Sequence, residues 1–265
     1  MTLLLLQVQA ELRACFPETS AGFDQIMGLA GEVYRAQKGR KTQRIRIGDQ
    51  SYFIKQHKGV GWKEIFKNIL QLRMPVISAK NEWQALKRLQ KLNIEVPQIV
   101  GYGYRGINPA SLQSFIITRE LAKNSSLEEL GKKWQQCPPA FSDKLAIIKE
   151  MARIARVLHL NGINHRDFYL CHFLLDLSVP IHFGPKLYLI DLHRAGLRKK
   201  TPQRWIIKDL AGLYFSSKEV GLTKRDLLRF MQEYRNKSLR DLLGEEVLWK
   251  KVKKRGDQLY RKHER

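Results

Sequence analysis

The sequence predicts an α+β fold with a small antiparallel sheet in its first half and mainly helices in its second. Three observations predict this. Strand-like runs dominate before residue 121, and helical periodicity dominates after it. The 265 residues, 43% of them hydrophobic, suffice for one or two cored domains. Apart from Leu3 to Leu6, no apolar run draws attention, and that one is far too short to span a membrane.

The elements follow in order. Ahead of the strands, 3–12 suits a short amphipathic helix, and 1–30 leaves room for extra helices. The leucines lack the positive start of a signal peptide, so a cytoplasmic protein is expected. "GEVYRA" (31–36), "KTQRIRIG" (41–48) and "QSYFIKQH" (50–57) read as an antiparallel meander, with Arg44-Ile45-Arg46-Ile47 alternating and Gly39 and Gly48 at the turns. "AKNEWQALKRLQKLN" (79–93) aligns Trp83, Leu86, Leu89 and Leu92 on one helical face. "IVGYGYRG" (99–106) and "SFIITREL" (114–121) bring the first half to five strands and one main helix.

In the second half, "SLEELGKKW" (126–134) opens on a capping box of Ser126 and Glu129. Residues 142–162 carry a helical apolar stripe, with Ser142 as N-cap and Gly162 as the stop. "HFLLDL" and "KLYLIDL" are short strands joined by a Pro- and Gly-containing turn. Helices fill the rest: "RWIIKDLAGLYFSS", "TKRDLLRFMQEYR" and a basic tail. The expected organisation is a strand-rich lobe over 1–121 and a helical lobe over 122–265, together one domain.

There are 48 Lys and Arg against 25 Asp and Glu, a net charge of +23. Such a chain attracts polyanions: nucleic acid, an anionic membrane face, a phosphorylated lipid or an acidic protein. Cys15, Cys137 and Cys171 show no metal-ligand spacing, which gives zinc no support. Cys171 between apolar residues reads as packing.

The chemistry-bearing stretch is "GINHRDFYLCHFLLDL" (162–177). His165-Arg166-Asp167 matches the triplet that opens the catalytic loop of protein kinases, where Asp is the base that takes the proton of the attacking hydroxyl. Asp191, 24 residues on, ends an apolar strand after a small hairpin, the position of the kinase magnesium ligand. Leu192-His193 stand in place of the usual Phe-Gly. His172 occupies the position of the second metal ligand, although hard cations prefer oxygen. It could instead bind a phosphate oxygen or hold Asp167 or Asp191 in place.

Lys55 in "YFIKQH" matches the kinase strand lysine that pairs with nucleotide phosphates and a helix glutamate, here Glu82. The alternative is a lysine facing solvent. No Gly-rich phosphate loop exists. The turn "QKGRK" (37–41) could cradle phosphate through Gly39 with Lys38, Arg40 or Lys41, or be a solvated hairpin tip. Glu120 and Leu121 stand where backbone groups would meet an adenine edge. Asp209 stands where kinase-like folds brace the catalytic loop. The order of elements is that of a protein-kinase-like two-lobe fold.

"GEVYR", "YFIKQHKGVGWKEIFKNIL", "RMPVISAKNEW", "HRDFYLCHFLL", "LIDLHRA" and "RWIIKDLAGLYFSS" resemble the lipopolysaccharide core heptose(I) kinase family, from about Gly31 into the C-terminal region. His172 and the Asp-Leu-His triplet look like that family's own pattern. Where the family usually has Cys after the catalytic Asp, this chain has Phe168.

The resemblance implies transfer of the ATP γ-phosphoryl group to the 4-hydroxyl of the first inner-core heptose, at the cytoplasmic face of the inner membrane. It implies Asp167 as base, Asp191 as Mg2+ ligand, and Lys55 with Glu82 as the phosphate-pairing couple. The acceptor carries phosphates and acidic sugars, so a basic surface would concentrate and orient it. Residues 58–74 mix Trp62, Ile65, Phe66, Ile69 and Leu70 with basic residues, a pattern for acceptor or lipid contact or for packing. The basic run 250–265 suits anionic headgroups or a solvated helix face. Rival readings are another kinase-like phosphotransferase, a nucleic-acid binder, and a basic scaffold for an acidic partner such as an acyl carrier protein. Nucleic acid is disfavoured, because no basic–aromatic module stands out.

Overall fold

The computed structural model describes residues 3–37, 39–70 and 75–264. The chain divides into two compact units, Met1–Arg88 with Pro97–Glu120, and Leu89–Val96 with Leu121–Arg265.

Among the described residues of the first unit, six strands form one antiparallel sheet in the order β1-β5-β6-β4-β3-β2. The strands are β1 (Leu4–Val8), β2 (Glu32–Gln37), β3 (Arg40–Ile47), β4 (Gln50–Lys58), β5 (Ile99–Arg105) and β6 (Gln113–Arg119). The meander β2-β3-β4 forms as expected, with Gln37 opposite Arg40 and Ile47 opposite Gln50 across its turns.

The amino-terminal segment is a correction. Leu4–Val8 is not helical but a strand that pairs antiparallel with β5, Leu6 opposite Gly103 and Val8 opposite Gly101. Leu6 and Val8 are buried while Gln7 is exposed, the period of a strand. A Cβ on Gly103 would lie 2.6 Å from the Leu5 carbonyl, so glycine there lets the edge strand approach. Leucine's helix propensity yields to that tertiary fit.

Helices do follow: α1 (Ala10–Arg13) and α2 (Ser20–Gly28), the latter capped by the Thr19 side chain. Phe23 and Ile26 of α2 are fully buried in one core cluster with Leu12, Ile54, Phe115 and Ile117. Two buried glutamines lock α2 to the sheet. Gln43 Nε2 donates to Gln56 Oε1 and to the Leu29 carbonyl, and Gln56 Nε2 donates to the Ile26 carbonyl. Two more helices complete the unit, α3 (Gly61–Leu70) and α4 (Lys80–Gln90).

The second unit is mainly helical: α5 (Leu127–Trp134), α6 (Phe141–Leu160), α7 (Gln203–Ser216), α8 (Lys224–Arg235), α9 (Leu239–Leu242) and α10 (Glu246–His263). The Ser126–Glu129 capping box is present. The expected N-cap Ser142 is not one: α6 begins at Phe141, and Ala140 precedes it without a side-chain cap. The small strands are β7 (Asn124–Ser126), β8 (Ile163–Asn164), β9 (Phe173–Asp176), β10 (Leu187–Leu189) and β11 (Gly196–Leu197). β9 pairs with both β10 and β7, and β8 pairs with β11. Leu89–Val96 belongs to this unit although it precedes residue 121. The Glu95 carbonyl accepts from the Leu189 N–H, extending the pairing of β10. No described helix is long and apolar enough to cross a membrane.

One buried ionic knot holds α8 to α6. Asp226 accepts from the Thr223 N–H and hydroxyl and pairs with Lys144 of α6 and Arg229. Burial opposes its charge, but the bonds from Thr223 and Lys144 prevail and hold the carboxyl at about 2. Its folded value lies below the unfolded one, so its stabilisation is present above about pH 4 and is lost as pH falls through about 2. Asp226→Asn is expected to cost about 2 kcal/mol in urea unfolding at pH 7, and about half of that gap closes by pH 3.

Candidate functional site

The first unit carries a lysine–glutamate pair. Along β4, Tyr52, Ile54 and Gln56 enter the core while Lys55 lies on the other face. There its Nζ meets Glu82 Oε1 of α4 at 2.7 Å. Glu82 is 5% exposed, so the charge it buries is matched at short range. Lys55 is therefore not a lone solvent-facing lysine.

Gly39 sits in the β2–β3 turn at φ +74°, where a Cβ would lie 2.1 Å from the Gly59 carbonyl. Close packing of the chain thus requires glycine there whatever the turn binds. Lys38 lies outside the described residues. Lys41 is half-buried on β3, opposite Gln56. Glu120 uses its N–H on the Ser51 carbonyl, and its Oε2 accepts from Arg44 Nε at 2.9 Å. Leu121 belongs to the other unit, where its carbonyl accepts from Asn124 Nδ2.

In the second unit, α6 delivers β8, and the His165-Arg166-Asp167 loop follows. Asp209 of α7, 1% exposed, holds this loop by its backbone. Its Oδ2 accepts from the His165 N–H at 2.6 Å and its Oδ1 from the Arg166 N–H at 2.9 Å. Arg166 adopts φ +74°, a left-handed conformation that costs a non-glycine residue about 1–2 kcal/mol. Such strain persists where surrounding bonds impose it.

His165 is fully buried, and its Nε2 donates to the Ile190 carbonyl at 2.9 Å. Burial lowers its pKa, which favours the neutral ring. It links the loop to the residue before Asp191. Phe168 is buried against His165 and Phe173, and packs rather than reacts.

Asp167 and Asp191 are partly exposed, and each is held by a neighbour. Arg194 Nη1 donates to both oxygens of Asp167, at 2.9 and 3.2 Å. Asp191 sits at φ +60°, with Oδ1 2.7 Å from His193 Nδ1. His172 Nδ1 donates to the Asp167 carbonyl at 2.6 Å, and its Nε2 is 3.7 Å from Asp191 Oδ2. His172 thus lies between the two aspartates and tethers the loop. Among the described residues, no group of three or more His, Cys, Asp and Glu is placed to hold a metal ion. Cys171 is no nucleophile: burial pushes its thiol up to about 11.

Sequence reasoning missed Arg194 and the pairing of His193. Their only signal was the "DLHR" that displaces Phe-Gly after the strand-end aspartate. Away from these aspartates the same unit encloses an apolar cavity of about 340 Å³, walled by Leu127, Ile147, Met151, Leu213 and Val252, among others.

A strand lysine tied to a helix glutamate, a braced His-Arg-Asp loop and a hairpin ending in aspartate are the parts of a protein-kinase-like fold. The chain belongs to the lipopolysaccharide kinase (Kdo/WaaP) family, whose model matches residues 24–234. It is 42% identical over 247 residues to the lipopolysaccharide core heptose(I) kinase WaaP of Pseudomonas aeruginosa, covering 92% of this chain and 91% of that one. It is 45% identical over 225 residues to the Escherichia coli protein of the same name, covering 84% and 85%. A solved structure described as WaaP in complex with acyl carrier protein matches 97% of this chain and 99% of its own, with TM-score 0.83 and 36% identity.

The brace makes a test. In Asp209→Asn one of the two loop N–H groups loses its acceptor, at a cost of about 1–3 kcal/mol. The amides of His165 and Arg166 are expected to exchange with solvent at least ~10-fold faster than in wild type, measured by hydrogen exchange. Unchanged protection of both would remove the brace from the account.

Proposed function

We propose that this protein transfers the γ-phosphoryl group of ATP to the 4-hydroxyl of the first heptose of the lipopolysaccharide inner core. The observation that carries the reading is the Asp167 loop, strained at Arg166 and bonded through Asp209, in a chain 42–45% identical to heptose(I) kinases.

Asp167 accepts the proton of the acceptor hydroxyl as its oxygen bonds to the γ-phosphorus and the bond to the bridging oxygen of ADP breaks. Arg194 fixes the carboxylate so that an unused lone pair meets that hydroxyl. Lys55, positioned by Glu82, pairs with the nucleotide phosphates. The donor set fits a magnesium ion that arrives with the nucleotide, since such an ion needs one or two carboxylates plus phosphate oxygens. Asp191 would hold it, and its charge would offset that of the phosphates. His172, bonded to the Asp167 carbonyl, serves as a tether in this scheme rather than as a ligand, and buried His165 as a positioning residue.

Peripheral association with the cytoplasmic face of the inner membrane is part of the proposal. α3 exposes Trp62, Phe66, Ile69 and Leu70 beside Lys63 and Lys67, the make-up of an interfacial helix. An acidic carrier protein is a second proposed partner. The net charge of +23 suits it, and the apolar cavity of the second unit is where a carried acyl chain would be shielded from water.

Wild type is expected to phosphorylate dephosphorylated inner-core lipopolysaccharide, read by mass spectrometry of the heptose. Asp167→Asn and Lys55→Met, both folded, are expected to lose at least ~100-fold in kcat. No transfer by folded wild type with ATP and magnesium would sink the reading. For the partners, Phe66→Glu is expected to abolish flotation with vesicles containing phosphatidylglycerol. Substituting Met151 by Arg is expected to weaken capture of acylated over unacylated carrier protein. Wild-type behaviour of either variant would remove that partner.

A further inference from the structure

Four cations crowd one indole beside the catalytic loop. The guanidinium carbons of Arg166, Arg204 and Arg198 lie 4.6, 5.5 and 5.7 Å from the Trp205 ring centroid, and Lys208 Nζ lies 5.1 Å from it. Arg194 adds a fifth positive charge, already paired with Asp167. The carboxylates that bear on Arg166 and Lys208 are Asp167 and Asp209. Asp167 is engaged by Arg194, and Asp209 spends both oxygens on backbone N–H groups. Stacking on Trp205 gives each cation some return, about 0.5–2 kcal/mol, but nothing in it offsets the repulsion among them.

The cost is visible in the half-buried members. Burial, then the nearby Arg198 and Arg194, holds Arg166 below its ordinary pKa. Burial, then Arg194, does the same for Lys208, with Arg166 and Arg255 adding to it. Among the described residues, two buried donors in the cluster, Arg166 Nε and Trp205 Nε1, have no hydrogen-bond partner. Positive charge in excess, with unpaired donors among it, calls for an oxyanion.

We propose that the Arg166–Arg198–Arg204–Lys208 cluster on Trp205 is the acceptor-recognition site, binding an oxyanion of the acceptor saccharide next to the sugar hydroxyl that Asp167 deprotonates. The oxyanion is a sugar carboxylate or a phosphate already on the acceptor. The proposal rests on the kinase reading above and adds how the acceptor is chosen. Arg166 and Asp167 are adjacent in the chain, and Arg194 touches Asp167. An anion on the cluster therefore sets the distance from the acceptor's charged group to the base, and a neutral sugar gains nothing from it.

The test uses Lys208→Gln and Arg204→Gln. Arg204 is exposed, so its substitution leaves folding intact, and thermal melts check Lys208→Gln. Losing one hydrogen bond to a charged group is worth about 10-fold or more in binding. Lys208→Gln is expected to raise KM for the native acceptor about 10-fold, and Arg204→Gln about 3-fold, with kcat and the KM for ATP within about 2-fold of wild type. Carboxyl-reduced and dephosphorylated acceptors identify the anion. With the acceptor that lacks it, wild type shows the raised KM and the variants add nothing further.

Calorimetric binding of the lipid-free core oligosaccharide without ATP gives a readout that needs no turnover. Binding weakened by the variants, even with no phosphoryl transfer by wild type, would keep the site and fail only the kinase reading. Variant effects of equal size on both modified acceptors, a raised KM for ATP, or unchanged oligosaccharide affinity would each overturn the site.

Discussion

The structure of the site hangs on one buried carboxylate. Asp209 lies on α7, out of water, and accepts two consecutive backbone N–H groups, those of His165 and Arg166. Two donors on one carboxylate fix the peptide plane between them, and Arg166 is driven to φ +74°. That turn sends Asp167 onward and swings the Arg166 guanidinium over Trp205, four residues before Asp209 on α7. The same helix thus braces the loop from below and carries the platform on which its arginine rests. His159 Nε2 lies 3.5 Å from Asp209 Oδ2, and its Nδ1 meets the Tyr234 hydroxyl at 2.9 Å. The brace is in turn anchored to α6 and α8, so the loop's geometry is set by the helical core of its unit.

A second tether runs from the loop to the strand end. His165 reaches the Ile190 carbonyl, and His172 reaches the Asp167 carbonyl while lying near Asp191. Asp191 is itself left-handed, at φ +60°. The two non-glycine strains of the site are thus cross-linked by imidazoles whose rings lie 5.5 Å apart and nearly parallel. His193 on Asp191 explains what replaces the Phe-Gly of ordinary kinases: the carboxylate is oriented by a neighbouring side chain on its own turn.

Much of this was legible in the sequence for a physical reason. Strand alternation exposes itself, so the meander followed from runs such as "KTQRIRIG" and "QSYFIKQH". The kinase strand-lysine pattern pointed to Glu82 for Lys55, and the place of Asp209 in kinase-like folds pointed to a bracing duty. What escaped depended on neighbours far along the chain. β1 looked helical because the glycines that admit it lie in β5, about 95 residues away. Arg194 was marked only by the "DLHR" stretch, since its partner is 27 residues back. The extra α2 was legible only in outline, because the buried glutamines that lock it to the sheet lie on strands well beyond it in the sequence.

Charge provides the last step. An excess of +23 spread evenly over a surface would steer any polyanion and choose none. Here the acidic residues are spent unevenly. Asp226, Glu82 and Asp209 are buried in internal contacts, and Asp167 is paired with a single arginine. The cations around Trp205 gather on a rigid aromatic, with Arg198 also bonded to Asn164 Oδ1 at 2.6 Å. Pinning cations with an indole avoids neutralising them, so their field stays available to an incoming anion. Because the residue that joins this cluster to Asp167 is the strained Arg166, the position of that field and the position of the carboxylate are set by one backbone turn. Any change that relaxes Arg166 shifts both together, which in the proposed reaction ties selection of the acceptor to the chemistry performed on it.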